Sequence, residues 1–419
     1  MLDRKNQPEV KAIDGIQFEK PLIFDVAQNT RLFCFTNVQN ETSKLELIFN
    51  AGSINGAVEI GAIVNELLLS GTNDKTSTQI NAEIDALGGY IGQSIVMESA
   101  VLSIYALREN MLAIARIVKD AVDNCVFQQQ EINQSISARK QRLEVGLSKV
   151  ATVAQRSFKQ RFFSNSEKYG SVTNLEDYDN IQQLDLCQFH QKHYLNGLEK
   201  MVLVGNFSQN EIDAFIDTFG SWCNQSKAPI ESDFENIKGY SHIEKSDALQ
   251  TAVRIGRNLF NRTHPDYNDF AVLSTILGDY FGSRLMKNIR EDKGYTYGIG
   301  SMTVELLQSG YFLIATEVKK EVKDLTLAEI KYEIDRLRTK LVPQEEVDLV
   351  KNYLLGQLLK SADGPYSMMD LFLSVEEYGL NLEYYNKLIH DIQSITPERI
   401  KELAVKYLDW NEFTIVTVG

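Results

Sequence analysis

The side chains best suited to chemistry in this sequence are an arginine and a tyrosine seven residues apart, Arg290 and Tyr297. A guanidinium can donate paired hydrogen bonds to a peptide carbonyl or a carboxylate, and a phenol can donate to the oxyanion that forms when water attacks a carbonyl. Gly294 and Gly298 lie beside the tyrosine and favour a tight turn or a close backbone approach. The residue types leave a second interpretation open, in which Arg290 is a solvated arginine at a helix end and Tyr297 packs on a strand.

A second group that could bind a metal ion is the histidine pair His190 and His193, three residues apart on a predicted helix. Two histidines at that spacing can share one helix face and a metal ion. No carboxylate or cysteine accompanies them at the spacing of a known metal-binding motif, so the sequence favours a packing role. The four cysteines are scattered without CxxC spacing, which favours free thiols over a zinc site or a disulfide framework.

Composition restricts the possible partners. The chain has 419 residues, a formal net charge of -14 and 43% hydrophobic residues. Such an acidic surface repels nucleic acid and favours basic peptides. No apolar run approaches the roughly 18 residues that span a bilayer, so no membrane partner is expected. The polar segment Met1–Lys11 predicts a cytoplasmic protein, or a periplasmic one if a signal peptide was trimmed.

Hydrophobic periodicity predicts the elements that surround these residues. Alternating polar and apolar residues predict strands over 44–51 and 99–107, and a short buried strand is predicted over 201–205. Apolar residues at three- and four-residue spacing predict helices, which cover 57–69, 77–87, 110–126 and 129–149. Ser77 is the expected N-cap of the second helix.

The second half of the sequence repeats the first at an offset of about half the chain. Three matches carry the repeat: Gly89-Tyr90 with Gly294-Tyr295, residues 102–107 with 311–316, and Val204-Gly205 with Val418-Gly419. The predicted fold class is therefore α+β, with two homologous domains. Each is expected to be a mostly antiparallel sheet with helices packed on one side.

A segment rich in Pro, Ser and charge separates the two copies. We predict an N-terminal domain over 1–224, a linker over 225–240 and a C-terminal domain over 241–419.

The order of the motifs in the first half resembles the pitrilysin/insulinase family of zinc peptidases. A strand leads to Ala51-Gly52-Ser53, a helix ends in Ser70-Gly71-Thr72, and a second helix leads to Gly88-Gly89-Tyr90 and a strand. In that family the helix before Gly-Thr carries HxxEH, whose histidines bind zinc and whose glutamate activates the zinc-bound water. A distant glutamate is the third protein ligand.

At the matching positions this chain has lost the motif. Counting back from Gly71, both histidine positions and the glutamate position fall on other residues, namely Ala62, Glu66 and Asn65. The third ligand of the family falls, by resemblance, on Gln141 or Arg142. The resemblance therefore implies a degenerate zinc motif, no metal in this chain and no catalysis by the chain alone.

The resemblance also gives Arg290 and Tyr297 a role, because the family uses an arginine and tyrosine pair at this spacing to hold substrate opposite the zinc. In heteromeric members one subunit carries HxxEH and the other carries the pair. The resemblance implies a non-catalytic, substrate-holding subunit of a heterodimeric zinc metallopeptidase that degrades peptides in a closed chamber, with the zinc in the homologous partner. The alternative is a structural core-type homologue with no role in proteolysis.

Overall fold

A computed structural model of the chain describes residues 13, 15–57, 59–222 and 231–419. The start of the predicted linker, residues 225–230, and the polar segment Met1–Lys11 lie outside the described residues. No described helix combines the length and the apolar character that a membrane crossing requires.

The described strands include the three predicted over 44–51, 99–107 and 201–205, with ends that differ by up to three residues. In chain order they are β1 (Leu22–Ala27), β2 (Thr30–Phe35), β3 (Thr42–Phe49), β4 (Tyr90–Ile95), β5 (Ala100–Leu107), β6 (Leu198–Val204), β7 (Gly239–Ile243), β8 (Gln250–Leu259), β9 (Ile299–Glu305), β10 (Gly310–Lys319) and β11 (Thr414–Val418).

The helices lie between these strands. Those of the first half are α1 (Ile60–Leu67), α2 (Ser77–Ala86), α3 (Arg108–Asp123), α4 (Gln129–Leu147), α5 (Val150–Phe162), α6 (Glu167–Gly170), α7 (Gln183–His190) and α8 (Gln209–Phe219). Those of the second half are α9 (Tyr267–Leu277), α10 (Lys323–Thr339), α11 (Gln344–Ser361), α12 (Pro365–Glu376), α13 (Glu383–Ser394) and α14 (Pro397–Tyr407). Two π-helical segments, Gln191–Leu195 and Met286–Asp292, and four short 3-10 helices also occur in the described part of the chain.

The two sheets have the same strand plan, which confirms the predicted α+β fold of two homologous domains. The first sheet has the order β1-β2-β6-β3-β5-β4, and the second has the order β7-β11-β8-β10-β9. In each sheet one neighbouring pair is parallel, β2 with β6 and β7 with β11, while the other pairs are antiparallel. The strand β1 is the one addition in the first sheet. The domain boundaries proposed from the sequence stay a prediction.

The start of α2 differs from the sequence prediction by one residue. Thr76, rather than Ser77, is the N-cap, and its hydroxyl accepts a hydrogen bond from the backbone N–H of Gln79 at 3.3 Å. The Gln79 side chain accepts from the Thr76 N–H at 2.9 Å, so the pair forms a capping box. This cap fixes the turn between α1 and α2.

Each half also contributes one helix to the sheet of the other half, an arrangement that the sequence did not predict. Phe158 of α5 packs over Gly256 of β8 so closely that a Cβ atom at Gly256 would lie 2.5 Å from the ring. In return, Phe372 of α12 packs against Phe33 and Phe35 of β2, with ring centroids 4.9 and 5.6 Å apart. The two halves therefore share their cores, and neither sheet buries both of its faces without the other half.

Candidate functional site

The positions that the resemblance matches to HxxEH lie on α1, whose start has an unusual backbone conformation. Glu59 precedes the helix with φ = 69° and ψ = -15°, the left-handed region that residues other than glycine seldom adopt. Ala62 is half-buried on the first turn and has no side-chain donor atom. Asn65 is buried and Glu66 is exposed, so the motif positions point in different directions from one helix.

Asn65 is held by hydrogen bonds inside the domain. Its Nδ2 donates to the Tyr194 hydroxyl at 3.0 Å and to the Ser94 carbonyl at 3.4 Å. Its own carbonyl, near the end of α1, accepts a 2.6 Å hydrogen bond from Nε2 of Gln93 on β4. An amide in this position has no proton-accepting carboxylate, so it cannot act as the general base that the motif requires.

Glu66 is paired with an arginine that the sequence analysis did not single out. The guanidinium of Arg139 on α4 donates to Glu66 Oε2 from Nη2 at 2.6 Å and from Nε at 3.1 Å. It also donates from Nη1 to Glu59 Oε2 at 2.9 Å and from Nη2 to the Ala62 carbonyl at 3.0 Å. Ser135, one turn earlier on α4, donates to the same Glu66 oxygen at 3.1 Å. The Arg139 guanidinium therefore links the two glutamates and the backbone of α1 through hydrogen bonds.

These residues do not fit a zinc ion. A zinc site needs at least three protein ligands, and here the one carboxylate of the motif is already hydrogen-bonded to Arg139. A cation placed beside Glu66 would be repelled by that guanidinium. Within the described ranges, no cluster of three or more His, Cys, Asp or Glu side chains is arranged to hold a metal ion.

Arg142, where counting placed the third ligand, lies one turn beyond Arg139. It is exposed and its Nε donates to the carbonyl of Ala138 in its own helix at 3.3 Å. Whether Arg142 corresponds to the family's third ligand stays a prediction. The sequence could have pointed to Arg139 through its spacing. It lies four residues after Ser135 and three before Arg142, so a helix places the three side chains next to one another on one face.

The histidine pair packs in the interior of the first half. His193 Nδ1 lies 2.6 Å from the Asn50 carbonyl, and the His190 ring packs edge-on against Phe127. Burial lowers the pKa of both imidazoles, and backbone hydrogen bonds offset only part of that effect. These contacts agree with the packing interpretation.

Arg290 lies on the π-helical segment Met286–Asp292 and is half-buried. Its guanidinium carbon is 4.8 Å from the ring centroid of Phe281, whose side chain is 64% exposed. The guanidinium forms no hydrogen bond or ion pair with any described residue. The ring therefore orients the guanidinium while its donors stay available, in contrast to those of Arg139.

Tyr297 lies at the end of a turn that is fixed to the second sheet. Gly294 has φ = 65°, which a glycine adopts without strain. The Thr296 hydroxyl donates to the Glu317 carbonyl of β10 at 2.7 Å, and Thr316 donates to the Gly298 carbonyl at 2.8 Å. With its backbone held in this way, the Tyr297 side chain is 93% exposed.

A cavity of about 440 Å³ opens beside Tyr297 and includes the buried Arg254 of β8. Arg254 donates from Nη1 to the carbonyls of Val253 at 3.0 Å and Thr316 at 3.4 Å. Burial lowers the pKa of its guanidinium, and the nearby Glu317 offsets part of that effect. Arg290 does not line this cavity, and in the described part of the chain it shares no hydrogen bond with Tyr297. The proposed roles of Arg290 and Tyr297 in substrate binding stay predictions.

Comparisons with known proteins agree with this architecture. Residues 33–174 match the family model described as "Insulinase (Peptidase family M16)", and residues 180–354 match "Peptidase M16 inactive domain". An "Uncharacterized zinc protease" of Rickettsia bellii is 25% identical over 84% of this chain and 82% of its own length. The "Non-peptidase homolog YmxG" of Helicobacter pylori is 23% identical over 80% of this chain and 81% of its own length.

A solved structure has the same fold. The peptidase M16 inactive domain from Pseudomonas fluorescens is 23% identical, has a TM-score of 0.86, and the match covers 96% of this chain and 98% of that one. Because the two family models match in order along the chain and the fold is that of an M16 inactive domain, the chain belongs to peptidase family M16, the insulinase family. It is an inactive-type homologue within that family.

Proposed function

We propose that this chain is the non-catalytic, substrate-holding subunit of a heterodimeric zinc metallopeptidase. The observation that carries the proposal is the contrast between two arginines. Arg139 pairs within the chain with Glu66, which occupies the position of the second motif histidine, whereas Arg290 has no ionic partner among the described residues. A homologous subunit that carries HxxEH would supply the zinc and the general base, and the two subunits would enclose a peptide.

The chemistry of the second half supports a role in holding substrate. An accessible guanidinium can donate to a peptide carbonyl, and the phenol of Tyr297 can donate to the oxyanion of a tetrahedral intermediate formed at the partner's zinc. Tyr297 is highly exposed in the single chain. Such exposure suits a residue whose contacts form only in a complex.

A structural subunit with no role in proteolysis is the second candidate. The Arg139 network favours it, because this network converts the former motif into an ion-pair cluster that stabilises the fold. The two candidates differ in what they require of Arg290 and Tyr297.

The test is to express the chain alone and together with an adjacent-gene homologue that carries HxxEH. Zinc content is then measured, together with the cleavage of a quenched fluorescent peptide. We expect no cleavage by the chain alone and zinc-dependent cleavage by the pair. The variants Arg290→Ala and Tyr297→Phe should each lower cleavage by the pair roughly 10²-fold or more, because each removes a donor used in the transition state.

Arg142→Ala is the matched control, since Arg142 is an exposed arginine of the first half. It should leave cleavage unchanged, and size-exclusion chromatography should give the same complex for every variant. Normal cleavage by Arg290→Ala and Tyr297→Phe would exclude the substrate-holding role in favour of the structural one. Stoichiometric zinc and cleavage activity in the isolated chain would contradict both candidates.

The cytoplasm is the compartment that we propose for the pair, with the periplasm as the alternative. Cell fractionation followed by immunoblotting would distinguish them.

A further inference from the structure

A second cavity, of about 240 Å³, lies between α5 and the loop that follows β3. Three cationic side chains line it: Arg156, Lys159 and Lys168. We refer to it as the basic cavity. Its local charge is opposite to the net charge of the chain, which is -14. A concentration of cations in so acidic a protein attracts an anionic group to that point of the surface.

The cations of the basic cavity are not neutralised within the described part of the chain. Lys159 and Lys168 form no ion pair there, and Arg156 donates to the neutral side chain of Asn174 at 3.0 Å. Glu59 is the one carboxylate in the lining, and it already accepts hydrogen bonds from Arg139 at 2.9 Å and from Thr173 at 3.0 Å. The cavity therefore has an excess of positive charge.

The charged form of Lys159 is disfavoured in the folded chain. Burial lowers the pKa of its ammonium group, and repulsion from Arg156 lowers it further, while Glu59 offsets part of the effect. The exposed ammonium of Lys168 also lines the cavity and adds positive charge. A bound anion would stabilise the charged ammonium group, so an unfavourably placed lysine is a candidate ligand for an anion.

The basic cavity adjoins the cavity beside Tyr297. Gln155 lines the basic cavity, and its Oε1 accepts a hydrogen bond at 3.3 Å from Nε of Arg254, which lines the other cavity together with Tyr297. The two cavities therefore meet at one contact between α5 and the second sheet. Glu317 lines the cavity of Tyr297 and disfavours an anion there, so the basic cavity is the better position for a negative group.

We propose that the basic cavity binds a carboxylate group of a peptide whose neighbouring residues contact Tyr297. The carboxylate is that of the peptide C-terminus or of an acidic side chain. This inference rests on the proposed substrate-holding function and specifies it, because it predicts which peptides the subunit prefers. A basic segment elsewhere in the same peptide is compatible with the acidic surface of the rest of the chain.

The test measures peptide binding to the isolated chain by titration calorimetry at low and moderate salt. The probes are three forms of one acetylated decapeptide that is otherwise uncharged: with a free C-terminus, with a C-terminal amide, and as the amide with one residue replaced by glutamate. We expect at least one carboxylate form to bind about 10-fold more tightly than the neutral amide, and the difference to shrink as salt rises. A preference for the first form identifies the C-terminus, and a preference for the third identifies an acidic side chain.

Two variants remove positive charge from the cavity, Lys159→Gln and Lys168→Gln. Each should abolish most of the preference for the carboxylate, while Lys360→Gln, an exposed lysine on α11, should not change it. Lys168 is exposed, so its replacement should leave folding intact, and the unfolding midpoint of Lys159→Gln should not fall.

Equal binding of the three peptides, or an unchanged preference in both cavity variants, would overturn the inference. A lower unfolding midpoint of Lys159→Gln would also count against it, since the lysine would then have a structural role. The proposed function has its own test, because it would be contradicted if pairs that contain Arg290→Ala or Tyr297→Phe cleaved the peptide normally.

Discussion

The two halves of the chain share a strand plan but differ in the hydrogen bonding of one arginine in each half, Arg139 in the first and Arg290 in the second. In the first half, Arg139 is hydrogen-bonded to Glu59, Glu66 and the backbone of α1. In the second half, Arg290 rests on an aromatic ring and its donors stay available. The comparison teaches that one duplicated domain can hold an arginine in hydrogen bonds to its own helix and carboxylates, while the other leaves the donors of an arginine available.

The largest expected effect on stability comes from the paired arginine. Arg139→Met leaves two nearby carboxylates without their shared cation, and their mutual repulsion destabilises the fold. Because the side chain of Glu66 is 41% exposed, solvent screening reduces the loss below that of a fully buried pair. We expect the free energy of unfolding, measured with urea, to fall by about 2 kcal/mol.

Arg142→Met is the matched control for this change, on the same helix and exposed. It should change the free energy of unfolding by less than about 0.5 kcal/mol. Equal changes in the free energy of unfolding for Arg139→Met and Arg142→Met would mean that the hydrogen bonds of Arg139 do not stabilise the fold.

A smaller effect, dependent on pH, is expected from the buried histidines. Burial lowers the pKa of His190 and His193 below the ordinary value of 6.5. As the pH falls below about 6.5, the unfolded chain takes up protons that the folded chain does not, so stability decreases with falling pH. Urea unfolding across this range should give a weaker acid dependence for His190→Gln than for the original chain.

His390→Gln serves as the control, because the side chain of His390 is 79% exposed. Its stability curve should keep the original dependence on pH. An unchanged curve for His190→Gln would mean that the His190 imidazole has the same pKa in the folded and the unfolded chain, which would contradict the effect of burial.

The smallest effects on stability are expected where we predict the largest effects on function. Arg290→Met and Tyr297→Phe should each change the free energy of unfolding by less than about 0.5 kcal/mol, because Tyr297 is 93% exposed and Arg290 has no ionic partner among the described residues. A loss as large as that of Arg139→Met would show that the second-half residues are structural, and the comparison between the halves would fail.

Much of the fold could be predicted from local patterns. Alternation over 44–51 and 99–107 gave the central strands, and a 3.6-residue period gave α1 to α4, because both patterns come from burying one face of an element. The N-cap of α2 was misassigned by one residue, since Thr76 and Ser77 are chemically similar and only the backbone geometry distinguishes them. The exchange of α5 and α12 between the sheets was missed, because an amphipathic helix does not specify which sheet it covers.

The sequence by itself determined the family resemblance and predicted a degenerate zinc motif, since Ala62 has no ligand atom at the first histidine position and Asn65 has no carboxylate at the general-base position. Only the tertiary structure decided that Arg139 is the residue that pairs with Glu66, and that Arg254 and the basic cavity meet at Gln155. Ligand chemistry depends on the atoms of a residue, which the sequence states. Pairing depends on distances between residues far apart in the chain, which are set by the packing of helices on sheets.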